Sequence, residues 1–216
     1  MNQDKSSIML VDDHPLLRKG LQQLIELSDD LVLVAQASSG AEALELGSQL
    51  DPDLILLDLN MQGMDGLETL EKLRTAGVTS RIVMLTVSDS DSDVIGAISR
   101  GADGYLLKDM EPEELLTQIE RALQGKMVMS EAVTQALATA IRRPQHSHQA
   151  KLENLTGREL EILKLIAKGL SNKLIARELD ISDGTVKVHV KHLLKKLGLR
   201  SRVEAAVWMI NQEKSE

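Results

Sequence analysis

Leu54-Ile55-Leu56-Leu57-Asp58-Leu59-Asn60 places a carboxylate directly after four aliphatic residues. A run this short and apolar, opened by Asp51-Pro52-Asp53, reads as a strand buried on both faces. Asp58 then stands at its carboxyl end. Ile8-Met9-Leu10-Val11 ends in Asp12-Asp13, the run from Arg81 ends in Thr86, and Gly104-Tyr105-Leu106-Leu107 ends in Lys108. Taken singly, an Asp after a strand is most often a turn residue, and a Lys there is a surface charge. Their joint occurrence is what points to chemistry. Three carboxylates drawn together repel and need a compensating cation, and an open set of oxygen ligands suits Mg²⁺. Lys108 would add a second positive charge and Thr86 a hydroxyl. An aspartate nucleophile, a divalent cation and an ammonium are the parts of phosphoryl transfer to a carboxylate. Asp58 is therefore expected to accept a phosphoryl group.

The elements that would bring these ends together follow from the hydrophobic pattern. Strands are expected at Ile8–Val11, Leu31–Ala35, 54–58, 81–86 and 104–107. Helices are expected from Pro15, over Gly40–Leu50, about 65–75, 91–100 and 112–124. Five strand–helix units in strict alternation imply a parallel sheet with helices on both faces. Ligands of such sheets lie beyond the carboxyl ends of the strands. Neither GxGxxG nor GxxxxGK[ST] occurs in the sequence, which argues against dinucleotide and P-loop chemistry.

Composition adds bounds. The 216 residues are 43% hydrophobic and 27% charged, ordinary for a globular protein. No Cys is present, so thiolate chemistry and disulfides are excluded. Tyr105 and Trp208 are the only aromatic residues, so the cores must be built from Leu, Ile, Val, Ala and Met. The first apolar run is too short for a signal peptide and nothing approaches a membrane span, so a cytoplasmic protein with no membrane partner is expected. The net charge of −8 is uneven. Residues 1–130 hold 10 Lys and Arg against 23 Asp and Glu, and residues 131–216 hold 15 against 10. An acidic half joined to a basic half suggests two domains with different partners. The expected division is 1–126, a linker at 127–151 with a helix over 130–142, and a domain at 152–216. His146 and His148 in that linker lack acidic or Cys neighbours and read as plain linker residues.

From Leu155 the pattern is wholly helical. Thr156 to Glu159 has capping-box spacing. Ser171 caps a short helix, Ser182 a longer one ending at Gly198, and Ser201 a last one. Two short helices a few residues apart form a helix-turn-helix arrangement. On the longer helix Val186, Val190, Leu193 and Leu197 make an apolar face, and Lys187, Lys191 and Lys195 a cationic stripe. Residues 182–202 carry six basic side chains against one acidic. A merely solvated face would mix signs, so DNA phosphates are the expected partner.

Val11-Asp12-Asp13-His14-Pro15, Leu56 to Met61, Leu85-Thr86 and Gly101 to Lys108 resemble the receiver domain of bacterial response regulators. The resemblance implies a flavodoxin-like fold of strand order 2-1-3-4-5, with Asp58 taking phosphate from a sensor histidine kinase. It implies Mg²⁺ held by Asp13, Asp58 and the backbone carbonyl of Asn60, with Asp12 acting through water. Thr86 and Tyr105 would be a switch pair, Tyr105 turning inward after Thr86 moves to the phosphoryl group. Gln62 stands where the family usually has Pro, and Val87 where it often has Ala. The larger Val87 is expected to crowd the acyl phosphate and lengthen its life. Leu155 to Glu159, Gly169 to Lys173 and Thr185 to His189 resemble the LuxR-type DNA-binding domain of the NarL/FixJ group, and both halves are most similar to its nitrate/nitrite-responsive members. That implies base contacts from Lys187, Val188 and Lys191, and phosphate contacts from Asn172, Lys173, Thr185 and Lys195. It also implies a homodimer through Val203, Ala206 and Val207 on inverted half-sites, with RNA polymerase a further candidate partner. The acidic domain would cover the cationic helix until Asp58 is phosphorylated. The chain would then be no enzyme beyond its own phosphorylation and slow dephosphorylation. Two rival readings are an aspartate-nucleophile phosphatase, which would want a second acid where Asn60 stands, and an unphosphorylated receiver-like scaffold.

Overall fold

The computed structural model describes residues 5–88, 90–126, 128, 152 and 154–213. The expected linker helix, His146 and His148 lie outside the described residues. The acidic half alternates β1 (Ser6–Val11), α1 (Pro15–Glu26), β2 (Leu31–Ala37), α2 (Gly40–Leu50), β3 (Leu54–Asp58), α3 (Gly66–Thr75), β4 (Arg81–Thr86), α4 (Asp91–Ser99), β5 (Gly104–Leu107) and α5 (Pro112–Leu123). All strand pairings are parallel, in the order β2-β1-β3-β4-β5.

Period-two alternation divides the core. Ile8, Leu10, Leu54, Leu56, Val83 and Leu85 face α1 and α5, where Leu21, Ile25, Leu115 and Ile119 meet them. Met9, Val11, Ile55, Leu57, Ile82 and Met84 face the other layer, with Ala43, Leu70, Leu73, Val94 and Ala97. Leu50 is 47% exposed because it ends α2 beside Asp51, whose left-handed backbone turns the chain into β3.

The basic half has its own core, built around Ile162, Leu163, Ile175, Val186, Val190, Leu193 and Trp208. It comprises α6 (Gly157–Ala167), α7 (Asn172–Leu179), α8 (Asp183–Leu197) and α9 (Arg202–Glu213). Ser171 and Ser182 cap α7 and α8 through their hydroxyls, and Thr156 with Glu159 closes the capping box of α6. Glu159 is buried, which alone would raise its pKa. Lys196 at 2.7 Å and the bonds from Thr156 outweigh that and hold it below the usual carboxylate range. Lys196 thereby pins α8 to α6.

At the amino-terminal edge of the sheet, Arg74 is buried and donates to Gly101, Val78 and Ser80 carbonyls and to Asp103 Oδ2 at 2.7 Å. Asp103 also accepts the Ile82 amide, so one buried ion pair ties α3 to the starts of β4 and β5. Removing one partner of such a pair strands a buried charge. Asp103→Ala is expected to destabilise the receiver half by about 3–5 kcal/mol, read from urea unfolding of the full chain. The double change Arg74→Met with Asp103→Leu should recover much of that loss.

Candidate functional site

Strand register builds the site. Val11 lies opposite Leu57, Asp58 opposite Leu85, and Thr86 opposite Leu107. The residues that follow or end these strands, Asp12, Asp58, Thr86 and Lys108, therefore line one carboxyl edge. Lys108 Nζ lies 2.7 Å from Asp12 Oδ2 and 2.9 Å from Asp58 Oδ1. The Asn60 amide donates to Asp58 Oδ1 at 3.3 Å, and the Gln62 amide to Asp13 Oδ2 at 2.9 Å. Asp58 Oδ2 is buried and has no hydrogen-bond partner among the described residues. Single ligand atoms of Asp12, Asp13, His14 and Asp58 all lie within 4.8 Å of one another. The loop after Asp58 returns so closely that a Cβ on Gly66 would meet the Asp58 carbonyl, which explains glycine there.

Burial pushes the Asp58 carboxyl above the usual range, Lys108 opposes that shift, and Asp12 adds to it. Burial outweighs the single ammonium beside this carboxyl, and a divalent cation would add further opposing charge. Thr86 is fully buried and its Oγ1 accepts the Ser88 amide at 3.1 Å. Tyr105 was expected to turn inward only with phosphorylation. It is already buried here, its hydroxyl donating to the Ser88 carbonyl at 2.9 Å. Thr86 and Tyr105 are thus joined through Ser88. Val87 between them is 73% exposed.

The helical half meets the opposite edge of the sheet. Lys187 Nζ donates to the Asp51 carbonyl at 2.6 Å and Lys173 Nζ lies 3.3 Å from Asp53 Oδ2. Lys191 lies over Gly77, and Arg200 donates to the Ser99 carbonyl at 2.9 Å. Asn172 accepts from Arg202 at 2.9 Å, and Thr185 Oγ1 is bonded to Ser182. Val188 remains 53% exposed, as are Thr185, Lys191 and Lys195, while Val203, Ala206 and Val207 are half-buried along α9. The contact is less complementary in charge than the sequence suggested. Lys187 rests on a carbonyl rather than a carboxylate. Burial, and then the nearby Arg81, push the Arg202 guanidinium down to about 9.

Comparison with known families defines the class. Residues 8–120 match the response regulator receiver domain, and residues 153–209 match the bacterial regulatory proteins of the luxR family. The chain belongs to the two-component response regulators that carry a LuxR-type DNA-binding domain. Among curated relatives it is 56% identical to the nitrate/nitrite response regulator protein NarL of Escherichia coli K12, over 99% of this chain and 98% of that one. It is 51% identical to NarP of the same strain, over 95% and 94%. The crystal structure of ChrA, a response regulator of a heme-sensing two-component system, covers 97% of this chain and 98% of its own at 33% identity and a TM-score of 0.51. Among the described residues no helix is long and apolar enough to cross a membrane.

His14, the Gln62 amide, Ser88 and the Asp51–Asp53 loop were not singled out by sequence reasoning. Only His14 carried a signal, its place directly after Asp12-Asp13.

Between the ordinary carboxylate value and its raised native value, folded Asp58 keeps a proton that the unfolded chain has lost. Stability should therefore fall as pH rises through that window. Asp58→Asn should lack that slope and melt higher than the wild type at neutral pH. Calorimetric scans across a pH series check both.

Proposed function

We propose that Asp58 is the phosphoacceptor of a sensor histidine kinase and that its phosphorylation frees α8 to bind DNA. The observation that carries this is the unpartnered, buried Asp58 Oδ2 set beside Lys108 and Asp12. Asp58 Oδ2 attacks the phosphorus of a phosphohistidine. The nitrogen–phosphorus bond breaks, an acyl phosphate forms, and the leaving imidazole takes up a proton. Lys108 faces the phosphoryl oxygens, and Thr86 donates to one of them after releasing Ser88. Asp13, Asp58 and the Asn60 carbonyl would hold Mg²⁺, with Asp12 acting through water; the ion supplies charge neutralisation during in-line transfer.

The docked arrangement supports an occluded resting state. With Lys187 and Lys191 seated on the receiver loops, a duplex cannot reach the reading face of α8. In the open state Lys187, Val188 and Lys191 would face base edges, and Asn172, Lys173, Thr185 and Lys195 phosphates. The exposed parts of Val203, Ala206 and Val207 would pair two chains on inverted half-sites, and RNA polymerase would meet the bound dimer. The similarity to NarL and NarP supports a cytoplasmic role in regulating nitrate- and nitrite-responsive genes.

Incubation with candidate sensor kinases and labelled ATP should give alkali-labile label on the wild type and none on Asp58→Ala. Alkali-stable label, or equal DNA affinity with and without phosphate, would overturn the proposal. Lys187→Ala should weaken specific DNA binding of the phosphorylated chain by about 1–3 kcal/mol. Val87→Ala should shorten the half-life of the acyl phosphate. An unchanged or longer half-life would remove Val87 from that role.

A further inference from the structure

His14 has no part in the mechanism above, yet it stands at the mouth of the acid pocket. Its Nδ1 lies 2.8 Å from Asp13 Oδ1 and 3.4 Å from Asp12 Oδ1. Adjacent ligands of an octahedral ion with bonds of about 2.1 Å sit about 3 Å apart, and opposed ligands about 4.2 Å. The two His14 separations bracket the first figure. The 4.8 Å that encloses ligand atoms of Asp12, Asp13, His14 and Asp58 is close to the second. The His14 amide donates to Asp12 Oδ1 at 2.8 Å, so the residue is tethered to the pocket although its side chain is 68% exposed.

The carboxylate oxygens are also divided in a useful way. Lys108 takes Asp12 Oδ2 and Asp58 Oδ1. That leaves Asp13 Oδ1 and the unpartnered Asp58 Oδ2 for an ion, with Asp12 Oδ1, which accepts the His14 amide, placed to act through water; His14 Nδ1 already approaches Asp13 Oδ1 and Asp12 Oδ1.

We infer that His14 is a nitrogen ligand of this pocket and tilts its preference from Mg²⁺ toward Mn²⁺. Mg²⁺ takes oxygen ligands and keeps its waters. Mn²⁺ accepts the same carboxylate-rich shell as Mg²⁺ and, as a first-row transition ion, gains more than Mg²⁺ from one added imidazole nitrogen. The inference rests on the reading that the pocket takes a divalent cation. The intracellular Mn²⁺ supply would then set how fully the pocket is loaded for phosphorylation.

Mn²⁺ and Mg²⁺ are titrated separately into the full chain, as wild type and as His14→Ala, by calorimetry. The Mn²⁺-loaded proteins are then examined by pulsed electron paramagnetic resonance. The ratio of Mn²⁺ to Mg²⁺ affinity should fall about tenfold in His14→Ala. Modulation from a directly bound ¹⁴N should be present in the wild type and absent from the variant. An unchanged ratio, equal loss of both ions in the variant, missing nitrogen modulation in the wild type, or modulation that persists without His14 would each overturn the inference. Failure of the wild type to bind either ion would instead remove the cation pocket itself.

Discussion

One ammonium shared between two buried carboxylates is the contact on which this molecule turns. Lys108 reaches Asp12 and Asp58 only because β1, β3, β4 and β5 end in register. Burying these charges is unfavourable, and the arrangement persists because both faces of the sheet are filled. Leu, Ile, Val, Ala and Met do that filling almost unaided. The rigid aliphatic layers hold the acids at a separation that they would not choose for themselves.

The same layers explain how much of the fold was legible in the sequence. Short apolar runs of two to four residues, each closed by a polar residue, announced β1, β3, β4 and β5 and the edge they share. Capping residues announced α6 to α9 almost to the residue. The site was legible where chemistry sat at a strand end, as with Asp12, Asp58, Thr86 and Lys108. It was not legible where a backbone amide or a loop supplied the contact. The Gln62 amide on Asp13 and the Ser88 link between Thr86 and Tyr105 depend on loop conformation, which side-chain type does not encode. Asp51 and Asp53 looked like turn residues and are, but they also receive Lys187 and Lys173 from more than a hundred residues away.

That seam between the halves is thin in complementary charge. It joins lysines to a carbonyl and a carboxylate, yet it also sets Arg202 near Arg81, two buried cations of like sign. Net attraction is then small, and a modest bias can change which state is populated. Lys196, held by Glu159, belongs to the packing of the helical half itself and takes no part in the seam.

The seam uses the loops that precede β3, β4 and β5, whereas the acid pocket lies where those strands finish. A strand of five or six residues spans about 17–20 Å, roughly twice the distance over which salt water lets charges feel one another. The two edges thus lie more than one screening length of salt water apart. On the reading that Asp58 is the phosphoacceptor, coupling between the two edges would run through the packed sheet, which would then act as a push-rod rather than a screen.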